Sequence, residues 1–403
     1  MSTSLLYHAF GIQGYQHVRT RFERGSVIFS VCQARTALRC SACRSKKLIL
    51  KGSVSRRFRA QPIGEKPIWI SLEVPRVECL ACGLIRQVKI NFADPRRSYT
   101  RAFERYALGL LKHMTIKDVA HHLHVGWDLI KEIQKRNLKR RFERPLLKNL
   151  NHIAIDEISI GKGHRYLTLV LNLASGAVIF VGEGKGAEAL APFWKRLRHS
   201  KAEISAVAID MSPAYIAAVS GNLPDAAIVF DHFHVVKHFN DRLSDFRRRL
   251  YEHTSKIERE VLKGSRWLLL KNPENLDEKR NERERLKKAL ELNQPLATVY
   301  YMKEDLRRLW SLPDKNAAQV FLNDWVARAR SSEIMMLMKF ANTLAAHRTG
   351  ILAYYDHSIS TGPLEGTNNK IKTMKRQAYG FRDLEFFKLK ILAIHEARYA
   401  LVG

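Results

Sequence analysis

The chain has 403 residues, 46% of them hydrophobic, with 69 Lys and Arg against 39 Asp and Glu, a formal net charge of +30. That much apolar material excludes a disordered chain, and the length exceeds one ordinary core, so two to four domains are expected. A positive excess of this size points to a polyanionic partner, nucleic acid first.

No apolar run approaches the ~18 residues of a membrane span, and the N-terminus MSTSLLYHAF lacks the charged-then-apolar order of a signal peptide. A soluble cytoplasmic protein without membrane association is expected. In a reducing compartment its five cysteines are not expected to form disulfides and are available as metal ligands.

Cys40-Ser-Ala-Cys43 and Cys79-Leu-Ala-Cys82 are two CxxC pairs separated by 35 residues. Each pair offers two thiolates from a tight knuckle, and four thiolates close one tetrahedral structural zinc site. The alternative is four ordinary buried cysteines. The stretch between is rich in Arg and strand formers such as Ile68 to Val74, which suggests a zinc ribbon over residues 1–95. Cys32 lies outside the pattern and is expected as a small core residue.

Residues 96–148 read as a helix-turn-helix. Ile116, Val119, Ala120 and Leu123 mark one short helix. After His124-Val125-Gly126 a second helix carries Trp127, Ile130, Ile133 and Leu138. It would present Asp128, Lys131 and Lys135 to a DNA groove, supported by the cationic tail Lys139, Arg140 and Arg141. The alternative is a helical hairpin with a solvated basic face.

From 149 to 245 the pattern is α/β. A strand, Ile153-Ala154-Ile155, ends in Asp156-Glu157, and further strands follow from Tyr166 and at Val178 to Val181. A helix over Ala187 to Leu197 and a strand from Ile204 to Ile209 come next, the latter ending in Asp210. This is the ribonuclease H-like order, in which the first and fourth strands lie side by side and bring Asp156 and Asp210 together. Two such carboxylates would repel without a cation between them. Either aspartate alone could be a turn residue or a helix cap. Glu157 points to the face opposite Asp156, and Asp156 is preferred because it shares the parity of Ala154. After a strand at Ala227 to Phe230, Asp231 and His234 are read as hydrogen-bonded support near that site rather than as a second zinc centre.

Residues 246–347 read as all helical, with charged solvated faces. Trp267 is expected in a core, with stacking on an unpaired base as the alternative, and Asn272 to Asn275 as an interhelix turn. The final segment, 348–403, contains Glu365 ahead of Lys370, Lys372, Lys375 and Arg376. A lone carboxylate in front of such a run suits a metal ligand facing a phosphate backbone. The alternative is an acid favoured by a helix dipole. A helix from about Leu364 places Asn369 one turn and Lys372 two turns beyond Glu365, with Gly380 ending it.

The paired CxxC ribbon, the helix-turn-helix, the segments IAIDEISIGKGHRYLTLV, AIDMSPAY, FDHFHVVKHFN and RWLLLKNPENL, and the closing STGPLEGTNNKIKTMKRQAYGF together resemble the bacterial insertion-sequence transposases of the ISL3 family. The resemblance covers nearly the whole chain. It implies a ribonuclease H-like mixed sheet interrupted by an all-helical insertion, and a DDE triad carried by Asp156, Asp210 and Glu365. It also implies that Asp231 and His234 form the DxxH element, and that Lys372 is the basic residue seven positions after the glutamate.

The triad would hold two magnesium or manganese ions for cleavage at terminal inverted repeats and joining of the 3′-hydroxyl ends to target DNA. A homo-oligomer on double-stranded DNA is implied, in the bacterial cytoplasm at the nucleoid. A non-catalytic DNA-binding regulator built from a transposase is the alternative, and a structure-specific nuclease of the same fold a third reading.

Overall fold

The computed structural model describes residues 4–253 and 255–395, so the expected C-terminal stretch 396–403 lies outside the described residues. The chain forms two compact units, one of residues up to Glu143 with Met374–Lys390, the other of Arg144–Thr373 with Ile391–His395.

In the first unit a short helix α1 (Leu5–Phe10) precedes the hairpin β1 (Gln16–Glu23) and β2 (Ser26–Cys32). Arg24 and Gly25 turn that hairpin with φ of 47° and 76°, the left-handed pair that matches strand twist. A long hairpin of β3 (Leu48–Ile63) and β4 (Lys66–Cys79) follows, with β5 (Ile85–Gln87) paired to the end of β4. The sheet order is β1-β2-β4-β3. Ile68, Ile70, Leu72 and Val74 alternate along β4 and are fully or almost fully buried with Phe58, Phe29 and Phe10, as a half-buried strand requires. Cys32 is exposed, not a core residue, because it is the last residue of β2, paired with Gln16 at the open end of the β1–β2 ladder.

Helices α2 (Arg101–Leu110), α3 (Ile116–His122) and α4 (Trp127–Phe142) complete the unit. Thr100 and Thr115 cap the first two through the backbone N–H groups of Phe103 and Asp118. The left-handed residue of the α3–α4 turn is His124, at φ 50°, not Gly126. Trp127 does not join the core with Ile130 and Ile133. It is 46% exposed, because it opens the helix and its indole projects beyond the packed stripe. The expected domain edge at 95/96 falls inside a single packed unit. Buried Arg59 on β3 accepts from the Thr100 N–H, donates its own N–H to Ser98, and reaches Leu123 O with its guanidinium at 2.7 Å.

The second unit is built on a five-stranded sheet in the order β10-β9-β6-β7-β8, a ribonuclease H-like arrangement. Its strands are β6 (His152–Gly161), β7 (Arg165–Asn172), β8 (Val178–Glu183), β9 (Ala206–Ile209) and β10 (Ala227–Phe230). The first and fourth strands pair in parallel, His152 with Ala206 through Ala154 with Ala208. β6 does not stop at Asp156-Glu157. β7 continues to pair with it through Gly161, so both acids sit in mid-strand. Helices α5 (Ala191–Arg198), α6 (Pro213–Asn222) and α7 (His232–His253) bury Phe193, Trp194, Tyr215 and Phe239 in the core with Ile153, Val170 and Val207.

The expected boundary at 245/246 falls within α7, which runs on because Phe239, Leu243 and Leu250 continue one apolar stripe. The described residues from there to 346 are helical: α8 (Lys256–Leu262), α9 (Ser265–Leu270), α10 (Glu282–Glu291), α11 (Gln294–Arg307), α12 (Lys315–Ser331) and α13 (Met335–Ala346), with 3-10 turns between. Pro273–Asn275 forms the turn after α9. Trp325 anchors this region, fully buried, with its indole N–H on Met302 O at 2.9 Å. Trp267 is 64% exposed, contrary to the core expectation, because its side of α9 faces solvent and only the Arg266 guanidinium lies over its ring, at 4.9 Å.

The chain returns to the sheet through α14 (Arg348–Leu352), then α15 (Gly362–Gln377) and α16 (Leu384–Leu392). Gly350 lets α14 lie directly on the Phe230 ring of β10; a Cβ there would stand 2.5 Å from that ring. Met374–Lys390 groups with the first unit, so the segment expected from 348 onward is divided between the two. Among the described residues no helix is long and apolar enough to cross a membrane.

Candidate active site and metal centre

Asp156 and Asp210 each stand two residues beyond the paired Ala154 and Ala208, Asp156 within β6 and Asp210 just past the end of β9. Burial pushes the Asp156 carboxyl up to about 6; the Glu157 backbone N–H and the His234 imidazole pull it down, and the charges of Glu157 and Asp210 push it further up. Its Oδ1 accepts from the Glu157 N–H at 2.8 Å and its Oδ2 from the Asn368 amide at 2.8 Å. Asp210 accepts the Ser212 N–H at 3.0 Å in the loop that opens α6.

Glu157 stands opposite Thr168 across the β6–β7 ladder and acts on the Tyr215 hydroxyl, which also meets Thr168 Oγ1 at 3.3 Å. Asp156 and Glu157 therefore serve different faces of the sheet.

Glu365 is exposed on the first turn of α15, one turn before Asn368. That turn is fixed from below. Glu365 N–H bonds Thr361 O at 3.0 Å, and Thr361 Oγ1 donates to buried Asp231 at 2.8 Å. Asp231 thus holds the start of α15 through Thr361, Asn368 bonds Asp156, and His234 is close enough to act on the Asp156 charge. Asn369, the asparagine expected in support, is exposed, and its neighbour Asn368 turns inward with Leu364 and Ile371. Thr361, Asn368 and Tyr215 were not singled out by sequence. The tandem asparagines carried the signal, but one residue is 100° of helix rotation, and only packing selects between them.

The oxygen donors and the unrelieved charge at Asp156 fit a hard divalent cation. Among the described residues, however, the one group of three or more candidate ligands gathered within 4.8 Å is Cys40, Cys43, Cys79 and Cys82, so the three carboxylates are not drawn that close. The two cysteine knuckles are equivalent. Arg44 N–H returns to Cys40 O at 3.0 Å and Gly83 N–H to Cys79 O at 2.8 Å, and both closing residues are left-handed, at φ 61° and 69°. Cys40 Sγ lies 3.8 Å from Cys82 Sγ and Cys43 Sγ 3.4 Å from Cys79 Sγ. A tetrahedron with 2.3 Å zinc–sulfur bonds has edges of about 3.8 Å, so the donor set fits a structural zinc. The backbone N–H groups of Cys43 and Ala42 hold the Cys40 thiol down at about 6.

The residues expected to face DNA are distributed unevenly. Asp128, Arg140, Lys372 and Arg376 are exposed and Lys375 is half-buried. Lys131, Lys135 and Lys139 do not stand free. Lys131 meets Asp383 at 3.1 Å, Lys135 meets Asp383 at 3.0 Å and Glu385 at 2.7 Å, and Lys139 meets Glu385 at 2.9 Å. The acids come from the start of α16, some 250 residues away, a pairing that local sequence does not signal.

Family models match three consecutive stretches: a zinc-finger of the IS204/IS1001/IS1096/IS1165 transposases over residues 36–82, a helix-turn-helix domain of transposase family ISL3 over 88–136, and an ISL3 transposase model of the DDE type over 153–391. The chain is 34% identical over 359 residues to the transposase of insertion sequence element IS1001 from Bordetella parapertussis, covering 88% of each chain. It is 29% identical over 388 residues to that of IS1557 from Mycobacterium tuberculosis, covering 89% of this chain and 86% of the other. A solved structure, the Drosophila P element transposase strand transfer complex, aligns over 76% of this chain and 94% of that one at 11% identity and a TM-score of 0.40, too loose to argue from. With its zinc-binding cysteines, its helix-turn-helix and its DDE domain, the chain belongs to the ISL3 family of transposases.

Proposed function

We propose that this transposase binds double-stranded DNA at the terminal inverted repeats of its element, cleaves the ends by metal-dependent phosphodiester hydrolysis, and joins the 3′-hydroxyl ends to target DNA by transesterification. The observation that carries this reading is the Asn368 to Asp156 hydrogen bond, which ties the helix bearing Glu365 to the strand bearing the first aspartate. Asp156, Asp210 and Glu365 would hold two divalent ions, magnesium or manganese, which when bound supply Lewis-acid activation of the attacking and leaving oxygens.

The chain's own groups do the rest. Asn368 fixes the Asp156 rotamer, and Asp231 through Thr361 fixes the first turn of α15. Lys372, exposed two turns beyond Glu365, takes the phosphate beside the reacting bond, with Lys375 and Arg376 further along the strand. Asp128 and Arg140 on α4 contact the bound end; Lys131, Lys135 and Lys139 reach it once released from Asp383 and Glu385. No protein nucleophile is required, because water and then the freed hydroxyl attack directly. Joining two ends needs both held at once, so the working form is a homo-oligomer on DNA, acting at the bacterial nucleoid.

The test is end cleavage by purified protein in the presence of magnesium. Asp156→Ala, Asp210→Ala and Glu365→Ala are expected to abolish cleavage while end binding persists. Normal cleavage by the Glu365→Ala protein would overturn the assignment. Magnesium-dependent nicking separates this reading from a non-catalytic regulator, and a strand-joining assay separates it from a nuclease.

A further inference from the structure

Within the first unit, a cavity of about 790 Å³ lies between the α3–α4 helices and the stretch that follows α15. Trp127 forms part of its wall from α4 and Tyr379 another part from the opposite side. Tyr379 is 100% exposed and Trp127 46%, with the Lys131 ammonium 5.3 Å from the centre of the Trp127 ring. Tyr379 sits at φ 50°, next to Gly380 at 98°. A bulky side chain in the left-handed region is strained, and such strain collects at binding sites.

The polar lining is cationic. Lys117 and Arg382 stand exposed at the rim, and Lys390 is 9% exposed at the wall. The Lys390 ammonium lies 5.9 Å from the Phe386 ring, and among the described residues no carboxylate meets it. Burial alone drives its pKa down, to about 8. The one acid in the lining, Asp383, is already held by Lys131 and Lys135. A buried ammonium without a carboxylate partner and two exposed aromatic rings thus line one cavity, a donor set suited to an anion that carries a flat ring.

We propose that this cavity receives one unpaired nucleotide of a DNA strand, its base against Trp127 and Tyr379 and its phosphate on Lys390. A cavity of this size accepts a small-molecule-sized group, not a duplex whose bases are already stacked on one another. Aromatic faces accept any base, so the subsite reads strand separation rather than sequence. The proposal rests on the DNA-binding reading above and adds to it a preference for an unpaired strand.

The experiment compares full-length wild type, Tyr379→Ala and Lys390→Met by fluorescence anisotropy on an element-end duplex, blunt or with a short single-stranded extension. The extension is expected to tighten wild-type binding about tenfold. Each substitution is expected to cancel that gain while leaving blunt-duplex binding and the circular dichroism spectrum unchanged. Equal affinity of wild type for the two duplexes, or a gain that survives both substitutions, would overturn the proposal alone. Failure of wild type to bind either duplex would overturn the parent reading as well. A free mononucleotide that competes with the extension at micromolar concentration would make the occupant a soluble nucleotide and remove the strand.

Discussion

Thr361 Oγ1 donates a 2.8 Å hydrogen bond to Asp231 Oδ2, and both residues are only 2% exposed. The bond joins the end of β10 to the residue whose carbonyl accepts the first N–H groups of α15. Thr361→Val keeps the shape but leaves a buried carboxylate oxygen without its donor, a loss of about 1–3 kcal/mol. Urea denaturation is expected to register that loss, and end cleavage to slow with it as the turn carrying Glu365 loosens. Thr361→Ser keeps the donor and is expected to behave as wild type in both.

Asp156 supplies a pH dependence. Its folded-state pKa is raised by burial to about 6, from 3.8 for a free aspartate side chain. The folded chain therefore holds a proton that the unfolded chain has released. Stability on this account is full below about pH 4 and is lost as pH rises through about 6, by roughly 3 kcal/mol at most. In metal-free buffer the melting temperature of wild type is expected to fall over that window relative to Asp156→Asn, and added magnesium to restore it at neutral pH. Parallel curves for the two proteins would remove the shift.

The ribbon has a chemical readout. Four thiols belong to the zinc centre and Cys32 is exposed outside it. The purified protein is expected to carry about one zinc per chain, with a single thiol reacting quickly with a disulfide reagent. After chelation five are expected to react, with partial loss of strand signal, because beyond the metal the knuckles are joined, among the described residues, only by the frayed start of the β3–β4 ladder and the Leu80 N–H to Lys47 O bond. Five fast thiols before chelation would contradict the site.

Gly350 and Gly366 form a contrasting pair. A Cβ on Gly350 would stand 2.5 Å from two carbons of the Phe230 ring, whereas one on Gly366, within α15, meets nothing within 4 Å. Gly350→Ala is expected to destabilise by about 1–3 kcal/mol through overpacking. Gly366→Ala is expected to stabilise by up to about 1 kcal/mol through helix propensity. Thermal melts of the two variants check both signs.

What was legible in the sequence followed from periodicity and spacing. Alternation along β4, the two CxxC pairs and the strand-helix order around Asp156 and Asp210 each constrain local geometry strongly. What was not legible depended on distant partners. Lys131 and Lys135 read as free cations although Asp128 and Glu132 are close in sequence; the acids they pair with are Asp383 and Glu385, some 250 residues away, which local pattern does not signal. Trp127 fits the apolar stripe of α4 by spacing, yet it occupies the first turn, where the stripe has no neighbour to cover it. The end of β6 was read from its acids, but β7 continues to pair there whatever the side chains are. The choice of Asn368 over Asn369 is a rotation about the axis of α15, which propensity does not set.

The ladder between β6 and β9 stops at Ala154 and Ala208, two residues short of both aspartates. Beyond that point Asp156 is stitched only to β7, and Asp210 heads a loop. No ladder bond joins β6 to β9 at that level, so the space between the carboxylates is bounded by side chains rather than by backbone. The sheet therefore ends in a notch at the level of the two carboxylates, with β7 paired along one side and β10 paired up to Ile209 on the other.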